Sequence, residues 1–297
     1  MLHVVHHPAY VVTASGGAHQ FSKYAAVMDV LRDGGDLTEH TPEAMPRAWI
    51  ETAHDPAYVD AVITSTVAPE IERRIGFPVT PEVARRAQIS PGGTWLAAKL
   101  ALQHGYAANA AGGSHHALPD TGAGYCVFND LAIAALRLAG EGDAARILIV
   151  DCDVHQGNGT AAILAGHPDI ATLSIHAERN FPVRKARSTL DVGLPDGTRD
   201  DAYLDALKSA LRSMVDDVRP DLILYQAGVD VHVDDRLGRL ALTDAGIAAR
   251  DTLVARTAKN LGIPFASVMG GGYGSDVMAV ARRHAAVMRT CVAAYLD

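Results

Sequence analysis

The sequence predicts an α/β fold: a single domain over residues 1–297, with a central, mostly parallel sheet and helices on both faces. Three observations predict it. Short, continuous apolar runs recur along the chain, as expected of strands buried on both sides. Longer segments of helical periodicity separate them. The unusual polar motifs fall just past the apolar runs, where functional groups gather in parallel sheets.

The apolar runs place strands over 2–5, 107–111, 146–151, 171–176, 222–228 and 265–271. Helical patterns cover 22–33, 57–66, 91–104, 129–139, 200–217, 243–261 and 275–295. Ser90-Pro91 and Ser275-Asp276 read as helix starts, and Gly105 and Gly262 as helix ends. No linker or internal repeat divides the chain. Four strand ends carry four motifs: GGSHHA (112–117), DCDVHQGNG (151–159), QAGVD (226–230) and GGGY (270–273).

Composition narrows the function. The chain is 48% hydrophobic and carries a net charge of −8, with no basic stripe, which argues against a nucleic-acid partner. Its three cysteines, Cys126, Cys152 and Cys291, form no C-x-x-C pair. That excludes a disulfide framework and a cysteine zinc site, and suits the reducing cytoplasm. The N-terminus does not read as a signal peptide, and no apolar run approaches the roughly 20 residues of a membrane span. A cytoplasmic protein with no membrane partner is expected; no feature fixes an oligomeric state. Histidine, at 14 residues, is the compositional oddity.

Side chains two apart on an extended segment point the same way. Asp151, Asp153 and His155 therefore share one direction after the strand ending at 151. Carboxylates and imidazole suit a borderline divalent cation, and Asp230 in QAGVD is the candidate ligand from another strand end. Taken singly, Asp230 reads equally well as a turn or cap residue. His115 and His116 follow a Gly-Gly turn, whose freedom lets both rings reach one site. Paired histidines near a metal suit general acid–base work. GGGY fits a strand-to-helix turn, and the Tyr273 phenol could serve a developing oxyanion.

Together these motifs resemble the histone deacetylase superfamily, which shares the arginase-like α/β fold. HDPAYVDAV (54–62) and GYCVFNDLA (124–132) are also similar to it. HQGNG and DVHVDDRLGRLALT (230–243) most resemble the class IV branch and its bacterial relatives. The resemblance implies a zinc-dependent deacylase that removes an acetyl or longer acyl group from a lysine-like amine, either an acylated lysine of a protein or a small acylated amine, and the class IV likeness favours the longer chain. It implies that Asp153, His155 and Asp230 hold Zn²⁺, with Fe²⁺ also suited to such donors. It gives His116 the role of general base and then acid, His115 that of electrostatic helper, and Tyr273 that of oxyanion donor. Asp151 then orients His115 and, with Ser174, joins a structural K⁺ or Na⁺ site.

One departure from the commoner pattern is Asn158, where many members have an aspartate partner for the second histidine. A neutral amide raises the basicity of His116 less than a carboxylate would. Gly157 stands where the arginase relatives place a second metal-bridging aspartate, so a mononuclear site is expected. The resemblance also implies a narrow tunnel lined by Gly124, Tyr125 and Gly271, with His176 or Phe181 from SIHAERNFP as the other wall. The segment 13–22 reads as a rim loop, and 70–78 as a solvated helix face or loop. Two other readings compete: an acetylpolyamine or similar small-molecule amidohydrolase, and a non-catalytic module that binds acyl-lysine.

Overall fold

A computed structural model of the chain describes residues 1–12 and 19–296, with the side chains of 19 and 20 left aside. Eight strands form one sheet: β1 (Leu2–Val5), β2 (Leu37–His40), β3 (Tyr106–Asn109), β4 (Ile147–Asp151), β5 (Ile170–Ala177), β6 (Leu190–Leu194), β7 (Leu222–Gln226) and β8 (Phe265–Val268). The ten α-helices among the described residues are α1 (His19–Asp33), α2 (Arg47–Ile50), α3 (Pro56–Ile63), α4 (Pro69–Ile75), α5 (Pro81–His104), α6 (Asp130–Glu141), α7 (Asn158–Leu164), α8 (Asp200–Val218), α9 (Asp244–Asn260) and α10 (Val277–Leu296).

The strand order is β2-β1-β3-β8-β7-β4-β5-β6, and every pair is parallel. The expected α/β sheet is therefore present. Helices α5, α6 and α7 pack in one contiguous series, and α1, α10, α9 and α8 in another. Strands β3, β4, β5, β7 and β8 are buried along their whole length, which is why they read as largely apolar runs. These five strands are neighbours in the sheet. Parallel pairing puts all their C-terminal ends on one edge, so the motifs after β3, β8, β7 and β4 converge.

Several elements depart from the sequence reading. The edge strands β2 and β6 escaped it because they are only partly buried and interrupt their apolar residues with Glu39 and Asp191. Helix α5 starts ten residues before Pro91, at Pro81, where the Thr80 hydroxyl caps the Val83 N–H. Pro91 sits inside that helix despite lacking an N–H. The next residues, Gly92 and Gly93, lie close against the Glu43 carbonyl and the Tyr10 hydroxyl, so the helix is held by packing. Of the expected rim loop, 13–18 lies outside the described residues, and from residue 19 the chain is already in α1. The segment 70–78 largely belongs to α4.

Candidate active site

The turn after β3 brings the paired histidines inward. Gly112 and Gly113 both take positive φ (+81° and +82°), a conformation that side-chain-bearing residues rarely adopt. Asp130, at the start of α6, ties this turn down. It accepts from the N–H groups of Gly113 (3.1 Å) and Ser114 (2.7 Å) and from the Thr94 hydroxyl (2.6 Å). The rings of His115 and His116 then lie 4.1 Å apart between centroids.

Their environments differ. His115 Nδ1 donates to Asp151 Oδ2 at 2.7 Å, while its Nε2 lies 3.7 Å from Asp153 Oδ1. Burial opposes its charge, but Asp151 and Asp153 outweigh it and raise its pKa to about 9. His116 Nδ1 donates to the amide oxygen of Asn158 at 2.8 Å. Burial, then the neighbouring His115 and His155, push His116 well below the usual histidine range. One imidazole is held charged and the other neutral.

The end of β4 supplies Asp153 and His155, and the end of β7 supplies Asp230. Their donor atoms lie within 4.8 Å of one another, and all three residues are buried. His155 Nδ1 is 3.0 Å from Asp153 Oδ1 and 3.2 Å from Asp230 Oδ2. Backbone and amide donors fix the carboxylates. Asp153 Oδ2 accepts from Gln226 Nε2 (2.9 Å) and the Gly271 N–H (2.8 Å), and Asp230 Oδ1 from the Val154 N–H (2.9 Å). Burial and the like charge of Asp153 push Asp230 up to about 7. For His155, the two carboxylates overcome burial and raise it to about 10. Two converging carboxylates thus draw positive charge onto the imidazole between them. A dication fits that donor set, with the imidazole deprotonated to bind it.

Tyr273 lies 6.4 Å from His155 and 5.7 Å from Tyr125, between ring centroids. Burial, then the nearby Asp153 and Asp230, raise its phenol well above the usual range, so the hydroxyl keeps its proton. A cavity of about 40 Å³ opens between these groups, lined among others by His115, His116, Asp153, Gly271 and Tyr273.

The profile of the histone deacetylase domain matches residues 18–291. The chain belongs to the histone deacetylase domain family. It is 46% identical over 291 residues to an uncharacterized protein of Picosynechococcus sp., covering 96% of this chain and 97% of that one. It is 34% identical over 268 residues to histone deacetylase 2 of Arabidopsis thaliana, covering 85% of this chain and 68% of the relative. A histone deacetylase-like amidohydrolase of Pseudomonas aeruginosa is 31% identical over 212 residues, covering 66% and 56% of the two chains. The crystal structure of the HDA15 HD domain superposes with a TM-score of 0.82 over 99% of this chain and 90% of that one, at 21% identity, and so speaks to the fold.

Within this histone deacetylase domain, other expected residues fall as follows. Gly124 and Tyr125 line the cavity, and Tyr125 is 40% exposed with φ +67°. That strained backbone is held by two bonds to the end of α4, Gly124 N–H to the Arg74 carbonyl and Tyr125 N–H to that of Ile75. Phe181 sets its ring edge-on to His116 at 4.8 Å and is 43% exposed. His176 is not among the residues that line this cavity. Strand β5 runs to Ala177, so His176 stays in the sheet, buried, with Nδ1 3.0 Å from the Ser174 hydroxyl. Asp151 and Ser174 are direct partners across β4 and β5. Gly271 approaches both Asp153 and Asp230 so closely that a Cβ would strike their carboxylates.

Sequence reasoning missed Asp130, Gln226, His54 and Arg250, which act on the protein itself. His54 Nδ1 donates to the Leu118 carbonyl (2.9 Å), and its Nε2 accepts the Asn129 N–H (2.9 Å). Asn129 in turn donates to the carbonyl of Ala117, beside His116. A legible signal existed for Arg250. It falls on the apolar face of its helix, three residues after Ile247 and four before Val254.

Proposed function

We propose that the protein is a zinc-dependent deacylase that hydrolyses an acyl-lysine or a similar acylated amine. The observation that carries this reading is the pairing of a neutral His116 with the Asp153–His155–Asp230 group, His116 and Asp153 both lining one small cavity. Bound zinc would supply Lewis acidity toward an acyl carbonyl and toward water. Ferrous iron suits the same donors.

The chain's own groups divide the remaining work. Donation from Nδ1 to Asn158 leaves His116 Nε2 as the accepting nitrogen. It takes a proton from the attacking water and returns it to the departing amine. His115, kept charged by Asp151, adds positive potential beside the developing negative charge. The Tyr273 hydroxyl donates to the oxyanion. Tyr125 and Phe181 offer aromatic faces to the methylenes of a lysine-like amine. Asp151 and Ser174 contribute to a structural K⁺ or Na⁺ site beneath the histidines.

Cavity size favours a short acyl group. A cavity of about 40 Å³ beside His116 and Asp153 suits a small group such as acetyl. Hydrolysis leaves a carboxylate, and the lining cations Lys23 and Arg86 suit one. An assay of the purified protein on acetyl-lysine peptides, fatty-acyl peptides and acetylated polyamines tests this directly. Metal-dependent turnover of the acetyl peptides is expected. Turnover confined to polyamines would place the substrate among small acylated amines, and no turnover on any of these amides would reject the proposal.

A further inference from the structure

Arg250 has no solvent exposure, although it carries a permanent charge half-way along α9. Its Nη1 donates to the Gly228 carbonyl at 2.6 Å and reaches the Cys152 carbonyl at 3.4 Å. Cys152 directly precedes Asp153, and Gly228 lies two residues before Asp230. One guanidinium therefore grips both turns that deliver the candidate metal ligands, one from β4 and one from β7. Asp251 holds that guanidinium in place, 2.9 Å from Arg250 Nη2. Tyr225, on β7, donates its hydroxyl to the same carboxylate oxygen at 2.6 Å.

A buried ion pair is a poor device for stability alone, since well-packed apolar residues often replace one at no cost. A planar, multi-donor cation is, however, well suited to fix two carbonyls at a set separation. The pair is also neutral as a whole, so it adds geometry without setting a net charge against a bound dication.

We propose that Arg250, oriented by Asp251, is a positioning residue for the metal centre: it locks the turns at 152–155 and 228–230 in register and so sets metal affinity. The inference rests on the reading of Asp153, His155 and Asp230 as metal ligands. Supporting interactions of this kind change metal affinity by about 10- to 100-fold when lost.

The test is the dissociation constant for Co²⁺ and for Zn²⁺ of the metal-stripped full chain, measured by competition with a chelator, together with the visible spectrum of the Co²⁺ form. Three variants are compared with wild type: Arg250→Lys, Arg250→Met, and the double change Arg250→Met with Asp251→Leu. The double variant removes the pair without stranding a charge and keeps the test open should Arg250→Met fail to fold. Metal binding about tenfold or more weaker in the double variant, an altered Co²⁺ spectrum, and partial recovery with lysine are expected. Wild-type affinity and spectrum in a folded double variant would overturn the positioning role even if the melting temperature falls. A wild-type chain that binds no divalent ion would instead remove the metal reading itself.

Discussion

His116 Nδ1 donates to Asn158 Oδ1 at 2.8 Å, while the adjacent His115 donates to the carboxylate of Asp151 at 2.7 Å. The two neighbouring imidazoles thus have partners of different charge. Burial and nearby cations keep His116 neutral, whereas Asp151 and Asp153 keep His115 protonated to about pH 9.

Replacing Asn158 with Asp should move the acid limb of kcat/KM upward by about one pH unit, because a carboxylate favours the protonated imidazole. A base works only when neutral, so the variant should lose activity first on the acidic side. A pH–rate profile from pH 5 to 9 measures it, and an unmoved limb would deny His116 the role of base.

His116→Ala should nearly abolish turnover while metal content stays full, because His116 touches the ligand group only through ring contacts, its centroid 5.7 Å from that of His155. Elemental analysis beside the activity assay checks both halves. Loss of metal in this variant would mean that the ligand set is wrong.

Tyr273→Phe should lower kcat by about 10²-fold or more, with a smaller change in KM, because only a transition-state donor is removed. Turnover within a few-fold of wild type would rule the phenol out.

His54 makes stability acid-sensitive. Buried and accepting the Asn129 N–H at Nε2, it is held neutral, and burial lowers its pKa to about 4. The unfolded chain takes up this proton below about pH 6.5, whereas the folded chain resists until about pH 4. Its contribution is therefore intact above pH 6.5 and falls as pH drops toward 4, by about 3 kcal/mol at most. Urea denaturation midpoints between pH 7 and 4.5 should fall less steeply in His54→Gln than in wild type. Equal slopes would contradict the assignment.

Much of this architecture was legible in the sequence because burial and chemistry leave coarse marks. The interior strands are apolar on both faces, and β4 reads ILIV without interruption. Asp153, His155, Asp230, His115 and His116 stood out because ionisable groups at the ends of such runs need partners. What escaped was fixed by tertiary contact. Edge strands β2 and β6 carry solvent-facing charge and lose the apolar signature. Pro91 resembles a helix start, yet packing around Gly92 and Gly93 carries α5 through it. His176 looked like a wall residue because the end of β5 could not be placed to within a residue. Asp130 and Gln226 serve backbone groups and other side chains, and a single sequence does not mark such partners.

The central claim is one divalent ion held by Asp153, His155 and Asp230, and metal stoichiometry with chelation and reconstitution tests it most directly. The account predicts one equivalent per chain, activity lost on chelation and restored by zinc, cobalt or ferrous ions, and no binding above background in Asp230→Ala. Two equivalents per chain, or full amide hydrolysis by metal-free protein, would contradict it.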